Sequence, residues 1–289
     1  MDLPGRGRTF VRETPGPPGA PVVLLLHGLS ATGGTNWATT FAPLGHRYRV
    51  IAVDHRGHGR GMRCDHFRLG DCADDVAALA DVLGIDRFIP VGYSMGGPIA
   101  QLIWHRHPER VAGMVLCATS RDFRGRIDDR VLFLGIGGLN VGLHSLPKAF
   151  GVTGWSAIAG ILAGGLVTAD LRRWSAGELR GHDPRLICEA ALALGGFSSR
   201  SWIDEIDIPV AVIATAHDQM VPLRRQLKLA EHIPSAVLHP IDGDHFAVTR
   251  RADQFLAALL ESCDEVSRRD RRWRMTTRAA SQASLAHGR

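Results

Sequence analysis

The sequence predicts an α/β protein in which a mostly parallel, doubly wound sheet is interrupted by a helical insertion. Short apolar runs alternate with segments of helical periodicity from residue 22 to residue 119. The alternation stops between residues 122 and 202, where Gly- and Leu-rich helical segments replace the strands, and it returns at residue 208. Repeated strand–helix units imply parallel strands with helices on both faces.

The first half of the sheet is predicted from four apolar runs. The run VVLLLHG at 22–28 is almost wholly apolar, as expected of a strand buried on both faces of a parallel sheet. The predicted elements follow in order as strands at 8–14, 22–28 and 48–57, a helix at 71–85, a strand at 87–94, a helix at 95–108 and a strand at 111–119.

The second half begins after the insertion. Its predicted elements are a strand at 208–218, a helix at 223–233, a strand at 236–242 and a closing helix at 246–263. We therefore expect a core formed by residues 1–121 and 203–263, a helical cap at 122–202 and a disordered basic tail at 264–289.

The positive charge is concentrated in the tail. The chain has a net charge of +5, and the segment 264–289 holds seven arginines against three acidic residues, which contributes +4 of it. The rest of the chain is close to neutral, so we expect no nucleic-acid partner. A weak contact of the tail with a membrane surface or an acidic partner is the alternative to a solvated end.

Cysteine usage favours a reducing compartment. The five cysteines are an odd number, they are widely spaced, and they contain no Cys-x-x-Cys pair. The first twenty residues have no apolar core typical of a secretion signal, and we find no apolar run long enough for a membrane span. We therefore expect a cytoplasmic protein without a transmembrane segment. The oligomeric state is left open.

A serine lies between two glycines in the segment GYSMGG, at the junction of a predicted strand and a predicted helix. A Gly-x-Ser-x-Gly pattern in this context is typical of a nucleophile elbow, and the alternative is a tight turn without chemistry. Glycine at Gly92 and Gly96 removes side chains that would clash across the turn. The Ser94 hydroxyl would then lie at a helix N-terminus, which favours negative charge.

His245 is the preferred candidate for the base that such a serine needs. A serine hydroxyl becomes a nucleophile when a neighbouring base takes its proton, and histidine suits that role near neutral pH. His245 follows the last predicted strand, in a loop at the same edge of the sheet as Ser94. His217 is the second choice, because it adjoins the candidate acid.

Asp218 is the preferred carboxylate for holding the histidine in one tautomer. It closes the predicted strand VAVIATAHD and therefore lies at the carboxyl edge of the sheet. Asp122, after an earlier strand, is the fallback. Asp242 and Asp244 flank His245 but favour turn and capping roles.

Two backbone amides are candidates for an oxyanion hole. His27 and Gly28 end a predicted buried strand, and the glycine allows a turn that would aim the N–H of Leu29 at Ser94. The N–H of Met95 would be the second donor. We interpret His27 and Gly28 as structural residues of the site.

Five segments together resemble the α/β-hydrolase fold superfamily, in its capped, esterase- and lipase-like branch. They are HGLSA, DHRGHGRG, GYSMGG, ATAHDQMVP and GDHF, and they follow in order between residues 22 and 250. The resemblance implies a catalytic triad of Ser94, Asp218 and His245, in the chain order expected of that fold. It also implies an oxyanion hole formed by the amides of Leu29 and Met95, and it implies no cofactor.

The resemblance also limits the chemistry. Serine at the elbow separates the chain from the dehalogenases and epoxide hydrolases of that superfamily, which have aspartate there. Gly61 stands where the superfamily usually has serine after the Asp-x-Arg-Gly-x-Gly turn, a turn that we interpret as structural. We expect hydrolysis of a small-to-medium apolar ester. Carbon–carbon bond hydrolysis, haloperoxidase-like perhydrolysis and ligand binding without catalysis are the alternatives.

One group of residues has the side chains that could bind a metal ion. His55, His58, Cys64 and His66 lie close together in the sequence, but their spacing is not distinctive of a metal site. We therefore expect no metal.

Overall fold

The structure is a computed structural model that describes residues 1–123, 174–178 and 180–287, with side chains as far as residue 270. Its strands are β1 (Asp2–Leu3), β2 (Gly7–Arg8), β3 (Val11–Thr14), β4 (Val22–Leu26), β5 (Arg49–Val53), β6 (Ile89–Tyr93), β7 (Met114–Cys117), β8 (Val210–Thr215) and β9 (Ala236–Ile241). Its named helices are α1 (Gly33–Trp37), α2 (Phe41–Gly45), α3 (Leu69–Val82), α4 (Gly96–Arg106), α5 (Pro184–Gly196), α6 (Leu223–His232), α7 (Ala247–Arg250) and α8 (Ala252–His287).

Seven of these strands form one sheet, in the order β3-β5-β4-β6-β7-β8-β9. All neighbours pair in parallel except β3, which pairs antiparallel with β5 at the edge. The remaining two strands, β1 and β2, form a separate antiparallel pair. Because β4, β6, β8 and β9 all run in the same direction, the loops that leave their carboxyl ends lie at one edge of the sheet.

Alternate residues of the central strands face opposite sides of the sheet. Leu24 and Leu26 of β4 pack with α3 and α4 in one apolar cluster, whereas Val23 and Leu25 pack with α8 in another. All four leucine and valine side chains are fully buried. The sheet is therefore doubly wound, as the nearly continuous apolar run predicted.

Some predicted elements differ from the structure. Of the strand expected at 8–14, only Val11–Thr14 joins the main sheet, because Gly7–Arg8 pairs with β1 instead. The single closing helix expected at 246–263 is divided at Arg251 into α7 and α8. The short helices α1 and α2 were not expected from the sequence.

The expected tail does not begin at residue 264. Helix α8 continues past Cys263, and Val266 is fully buried against Gly113. The Asp264 carboxylate accepts a hydrogen bond from the Tyr48 hydroxyl, and Asp270 pairs with Arg87 at 3.0 Å. The average composition of the basic segment does not indicate that residues 264–270 have specific partners in the core. The boundary at 264 is therefore wrong for residues 264–270.

The insertion leaves and re-enters the core at one place. Asp122 and Ser198 form an isolated antiparallel bridge, and the N–H of Ser199 donates to the Arg121 carbonyl at 2.8 Å. Residues 124–173, which make up most of the expected cap at 122–202, lie outside the described residues. The helix α5 lies in the remaining part.

Across residues 1–123, 174–178 and 180–287, we find no helix with both the length and the hydrophobicity that crossing a bilayer requires.

Replacing Gly92 with alanine tests the turn after β6. A Cβ atom at this position would lie 2.3 Å from the Gly96 carbonyl oxygen, so we expect Gly92→Ala to lower the free energy of unfolding by about 2–3 kcal/mol or more. Gly84→Ala is the matched control. Gly84 has a φ of 64° and nothing near its missing Cβ, so it should lose only about 1 kcal/mol. Chemical denaturation of both variants makes the comparison, and equal losses would contradict the steric argument.

Candidate active site

The turn between β6 and α4 has the geometry of a nucleophile elbow. Ser94 has a φ of 52°, a left-handed conformation that is uncommon for a residue with a side chain. Glycine allows close backbone contact in this turn, because a Cβ atom on Gly96 would lie 2.2 Å from the Leu26 carbonyl oxygen. The N–H of Ser94 donates to the Cys117 carbonyl at 2.9 Å, which fixes the turn to β7.

Ser94, His245 and Asp218 form one hydrogen-bonded chain. The distance from Ser94 Oγ to His245 Nε2 is 3.0 Å, and that from His245 Nδ1 to Asp218 Oδ2 is 2.7 Å. A carboxylate only accepts hydrogen bonds, so Nδ1 carries the proton and Nε2 is left to accept from the serine hydroxyl. All three residues are buried. The structure therefore brings together the three side chains that the sequence suggested from widely separated positions.

The Asp218 carboxylate is surrounded by hydrogen-bond donors. Its Oδ1 accepts from the N–H groups of Met220 at 2.9 Å and Val221 at 2.8 Å. Its Oδ2 accepts from the Thr215 hydroxyl at 2.8 Å as well as from His245. A buried carboxylate needs such partners to replace its lost hydration. Asp218 is therefore held in one orientation towards the histidine.

The loop that carries His245 is fixed from two sides. The Tyr93 hydroxyl donates to the His245 carbonyl at 2.8 Å. The N–H of His217 donates to the Gly243 carbonyl at 2.9 Å, which extends the pairing of β8 with β9 into the loops after them. Because Tyr93 immediately precedes Ser94, the same stretch of chain positions the hydroxyl and the backbone of its partner.

The loop after β4 lies against the serine. A Cβ atom on Gly28 would be 3.3 Å from Ser94 Cβ, and the Gly28 N–H donates to Asn36 Oδ1 at 3.0 Å. Ser30, two residues on, has a left-handed φ of 57°. In the described part of the chain, the N–H groups of Leu29 and Met95 have no backbone acceptor.

The alternative residues have other partners. His217 Nε2 lies 2.9 Å from Asp242 Oδ1 in an exposed pair. Asp122 pairs with Arg200 at 2.9 Å. Asp244 accepts from the Phe246 N–H at 2.8 Å, a local capping contact of the kind expected.

Sequence reasoning missed the side chains that support these residues. Gln226 of α6 is fully buried, its Nε2 donates to the Thr215 hydroxyl oxygen at 2.9 Å, and its Oε1 accepts from the Thr215 N–H at 3.0 Å. Asn36 and Tyr93 have comparable supporting roles. Tyr93 could have been noted for its place beside the serine, but nothing in the spacing signals Gln226.

Four buried imidazoles lie beside the loop after β4. They are His27, His55, His58 and His182. The ring centroid of His27 lies 4.3 Å from that of His55 and 5.1 Å from that of His58, and the centroid of His58 lies 5.3 Å from that of His182. His27 Nδ1 donates to the Gly28 carbonyl at 2.8 Å, and its Nε2 accepts from the His55 N–H at 2.9 Å. His27 thus ties the loop after β4 to the turn after β5.

Burial lowers the pKa of each imidazole in this histidine cluster. The charge of Arg12 or Arg63 adds to the effect at His27, His58 and His182, where a backbone hydrogen bond partly opposes it. The pKa of His55 falls to about 3 and that of His182 to about 4. The pKa values of His27 and His58 are also well below the usual range, for the same reasons. The cluster is therefore neutral in the folded protein near pH 7.

The metal interpretation gains no support. Among the residues that the structure describes, no three or more His, Cys, Asp or Glu side chains are arranged to hold a metal ion. His66 is largely exposed and lies 3.6 Å from Glu189.

Comparison with known proteins identifies the family. The sequence pattern of the family described as "alpha/beta hydrolase fold" matches residues 21–134. The chain is 31% identical over 250 residues to "Putative carbamate hydrolase RutD" of a Caulobacter species, covering 82% of this chain and 88% of the relative. It is 30% identical over 246 residues to "Pimeloyl-[acyl-carrier protein] methyl ester esterase" of Chromobacterium violaceum, covering 83% and 93% of the two chains.

Solved structures share the fold. The enol-lactonase from Burkholderia xenovorans superimposes with a TM-score of 0.75 at 23% identity, covering 89% of this chain and 96% of that one. At this identity the likeness shows the fold alone.

The histidine cluster predicts a loss of stability in mild acid. Its imidazoles have depressed pKa values in the folded state, so their contribution is fully present above the unfolded pKa of about 6.5 and is lost as the pH falls towards the folded values. Each one costs about 1.4 kcal/mol per pH unit in that range. The free energy of unfolding at pH 6 and pH 5 measures the slope.

Replacing one imidazole isolates its share of that slope. We expect His55→Gln to reduce the slope by about 1.4 kcal/mol per pH unit. The control Ile99→Val, a neutral truncation in the core, should cost about 1 kcal/mol at both pH values. An unchanged slope in His55→Gln would exclude the cluster as its source.

Proposed function

The chain belongs to the α/β-hydrolase fold family, and from that premise we propose that it is a serine hydrolase that cleaves carboxylic esters. The hydrogen-bonded chain from Ser94 through His245 to Asp218 carries the proposal. A relative at 30% identity is named an esterase, which supports ester cleavage.

In the first step the Ser94 hydroxyl attacks the ester carbonyl carbon, and its proton passes to His245 Nε2. Asp218 keeps the other ring nitrogen protonated and stabilises the imidazolium that forms. Negative charge develops on the carbonyl oxygen, where the N–H groups of Leu29 and Met95 form the oxyanion hole. His245 then returns the proton to the leaving alcohol as the tetrahedral intermediate collapses.

In the second step water hydrolyses the acyl-enzyme. His245 takes a proton from the water, whose oxygen attacks the acyl carbon, and the proton returns to Ser94 as the acid leaves. This sequence uses only the three side chains and the two amides, so the proposed reaction takes place without cofactor or metal.

A small-to-medium apolar ester is the proposed substrate. The support is compositional, since the sequence between residues 131 and 170 carries few charges, and that stretch lies outside the described residues. A carbamate is the second candidate substrate, because the relative at 31% identity is named a putative carbamate hydrolase. Its carbonyl would meet the same serine.

We propose a cytoplasmic location. All five cysteines are free thiols, and four of them are buried, which fits a reducing compartment. The near-neutral charge of the body continues to argue against nucleic acid as a partner.

A fluorophosphonate probe tests the nucleophile. The wild-type protein should be labelled at Ser94 and the Ser94→Ala variant should not. Asp218→Asn should lower kcat by roughly 10³- to 10⁴-fold, because the imidazole loses the partner that fixes its tautomer.

The exposed pair of His217 and Asp242 provides the matched control, because it has the same chemistry away from the serine. Asp242→Asn should leave labelling and kcat close to the wild-type values. Absence of labelling in the wild type, or equal labelling of Ser94→Ala, would reject the mechanism and favour a ligand-binding protein on this fold.

A panel of p-nitrophenyl esters tests the substrate class. We expect kcat/KM to be highest for uncharged acyl chains of short to medium length and lower for the p-nitrophenyl carbamate with the same leaving group. Carbon–carbon hydrolysis of a diketone and perhydrolysis are assayed beside it. Preference for a charged acyl group, for the carbamate or for either of these other reactions would overturn the ester assignment.

A further inference from the structure

The insertion contacts the core beside the loop after β4. We call residues 174–178 and 180–183, which follow the insertion's undescribed part, the docking segment. The N–H of Asp183 donates to the Gly57 carbonyl at 2.9 Å, and His182 Nδ1 accepts from the Gly59 N–H at 3.0 Å. The imidazole of His182 also interacts with the backbone of Ser30. The docking segment thus reaches both the turn after β5 and the loop that carries Leu29.

Glu178 is the charged residue at this contact. Its Oε2 accepts a hydrogen bond from the Thr32 hydroxyl at 3.0 Å and another from Arg12 Nη2. Its Oε1 accepts from Arg60 at 3.2 Å. The side chain is only 10% exposed, so its contacts are not those of a solvated surface carboxylate.

Arg12 connects Glu178 to a second carboxylate. Its Nη1 lies 3.1 Å from Asp54 Oδ1, the same oxygen that accepts from the Gly33 N–H at 2.8 Å. The guanidinium also lies over Gly34, where a Cβ atom would be 2.9 Å from its carbon. The absence of a side chain at Gly34 therefore leaves room for the Arg12 guanidinium.

These contacts hold both ends of the segment that contains Leu29. The Gly28 N–H is fixed by Asn36 at one end. At the other end, Thr32 is fixed by Glu178 and the Gly33 N–H by Asp54. Between them the chain takes a left-handed turn at Ser30. The bond to Glu178 comes from the insertion, as does the contact of His182 with the Ser30 backbone, while Asn36 and Asp54 belong to the core.

We propose that Glu178 is a positioning residue through which the insertion fixes the Leu29 amide in the oxyanion hole. The inference rests on the proposed function, because it gives that amide a role in catalysis. Loss of the carboxylate would leave the Thr32 hydroxyl with its capping contact to the Thr35 N–H alone, and it would release one side of the Arg12 guanidinium. The loop would then hold the amide less firmly at the place where negative charge develops, and such donors act by being preorganised.

The expected signature is a fall in kcat at constant KM. Glu178→Ala should lower kcat by roughly 10-fold, less than the 10²- to 10³-fold typical of deleting an oxyanion donor outright, because the amide is misplaced and not removed. A trifluoromethyl ketone, which adds to the serine to give an oxyanion, should bind more weakly by about the same factor. Glu178→Gln keeps an acceptor for Thr32 and should recover most of the rate.

A double-mutant cycle with Thr32→Val measures the coupling between Thr32 and Glu178. Thr32→Val also removes the cap that the hydroxyl provides to the Thr35 N–H, but this loss occurs in both backgrounds and cancels in the cycle. Thr32→Val should itself lower kcat at constant KM, and adding Glu178→Ala to it should cost much less than in the wild type. Asp81→Asn removes an exposed carboxylate that pairs with Arg110, and it serves as a control with unchanged kcat. If Glu178→Ala does not fold, Thr32→Val and Glu178→Gln still give the comparison.

The outcomes separate this inference from the proposed function. If the wild type is neither labelled by fluorophosphonate nor active on esters, the proposed function fails. If the wild type is labelled and active but Glu178→Ala and Thr32→Val keep the wild-type kcat, only the positioning role fails. Additive effects in the cycle, or a change in KM alone, would likewise overturn it.

Discussion

The left-handed backbone of Ser94 is the constraint on which the site depends. At a φ of 52° the chain reverses from β6 into α4 within one residue and leaves the hydroxyl at the edge of the sheet. Such a conformation costs of order 1–3 kcal/mol and persists where surrounding contacts determine it. Here they are hydrogen bonds at 2.9 Å from the Ser94 N–H to Cys117 and at 2.8 Å from Thr119 to the Ser94 carbonyl. A relaxed turn would point the hydroxyl away from His245.

How much the sequence predicts depends on how local the cause is. The alternation of strands and helices along the chain and the approach of Ser94, Asp218 and His245 were predictable from short segments, because each of the three residues lies where a parallel strand ends. The support from Gln226 and the contact of Glu178 with Thr32 were not predictable, because each joins segments whose proximity only the fold creates. The predicted start of the basic tail was misplaced for a related reason. Val266 contacts Gly113, which is distant in sequence, and the average composition of the tail gives no sign of that contact.

Two kinds of buried polar group lie beside the loop after β4, and each is accommodated in a different way. The histidine cluster remains neutral, because burial lowers the pKa of its imidazoles. The carboxylates Asp54 and Glu178 are instead matched by two guanidinium groups, those of Arg12 and Arg60. Burial raises the pKa of Asp54, and the backbone N–H of Arg60 and the charge of Arg12 oppose that shift. Both arrangements avoid an uncompensated buried charge, and both tie the loop to the turn after β5.

The two sides of the site therefore differ in origin. Asp218 and His245 are held by β8, β9, α6 and Tyr93, all of which belong to the core. The loop that carries Leu29 is held partly by the docking segment of the insertion. In the proposed reaction, proton transfer and oxyanion stabilisation act at the same serine but depend on separate sets of contacts. If the proposed roles hold, a change of sequence in the docking segment would alter the loop that carries Leu29, while the contacts that hold Asp218 and His245 would be preserved by the core.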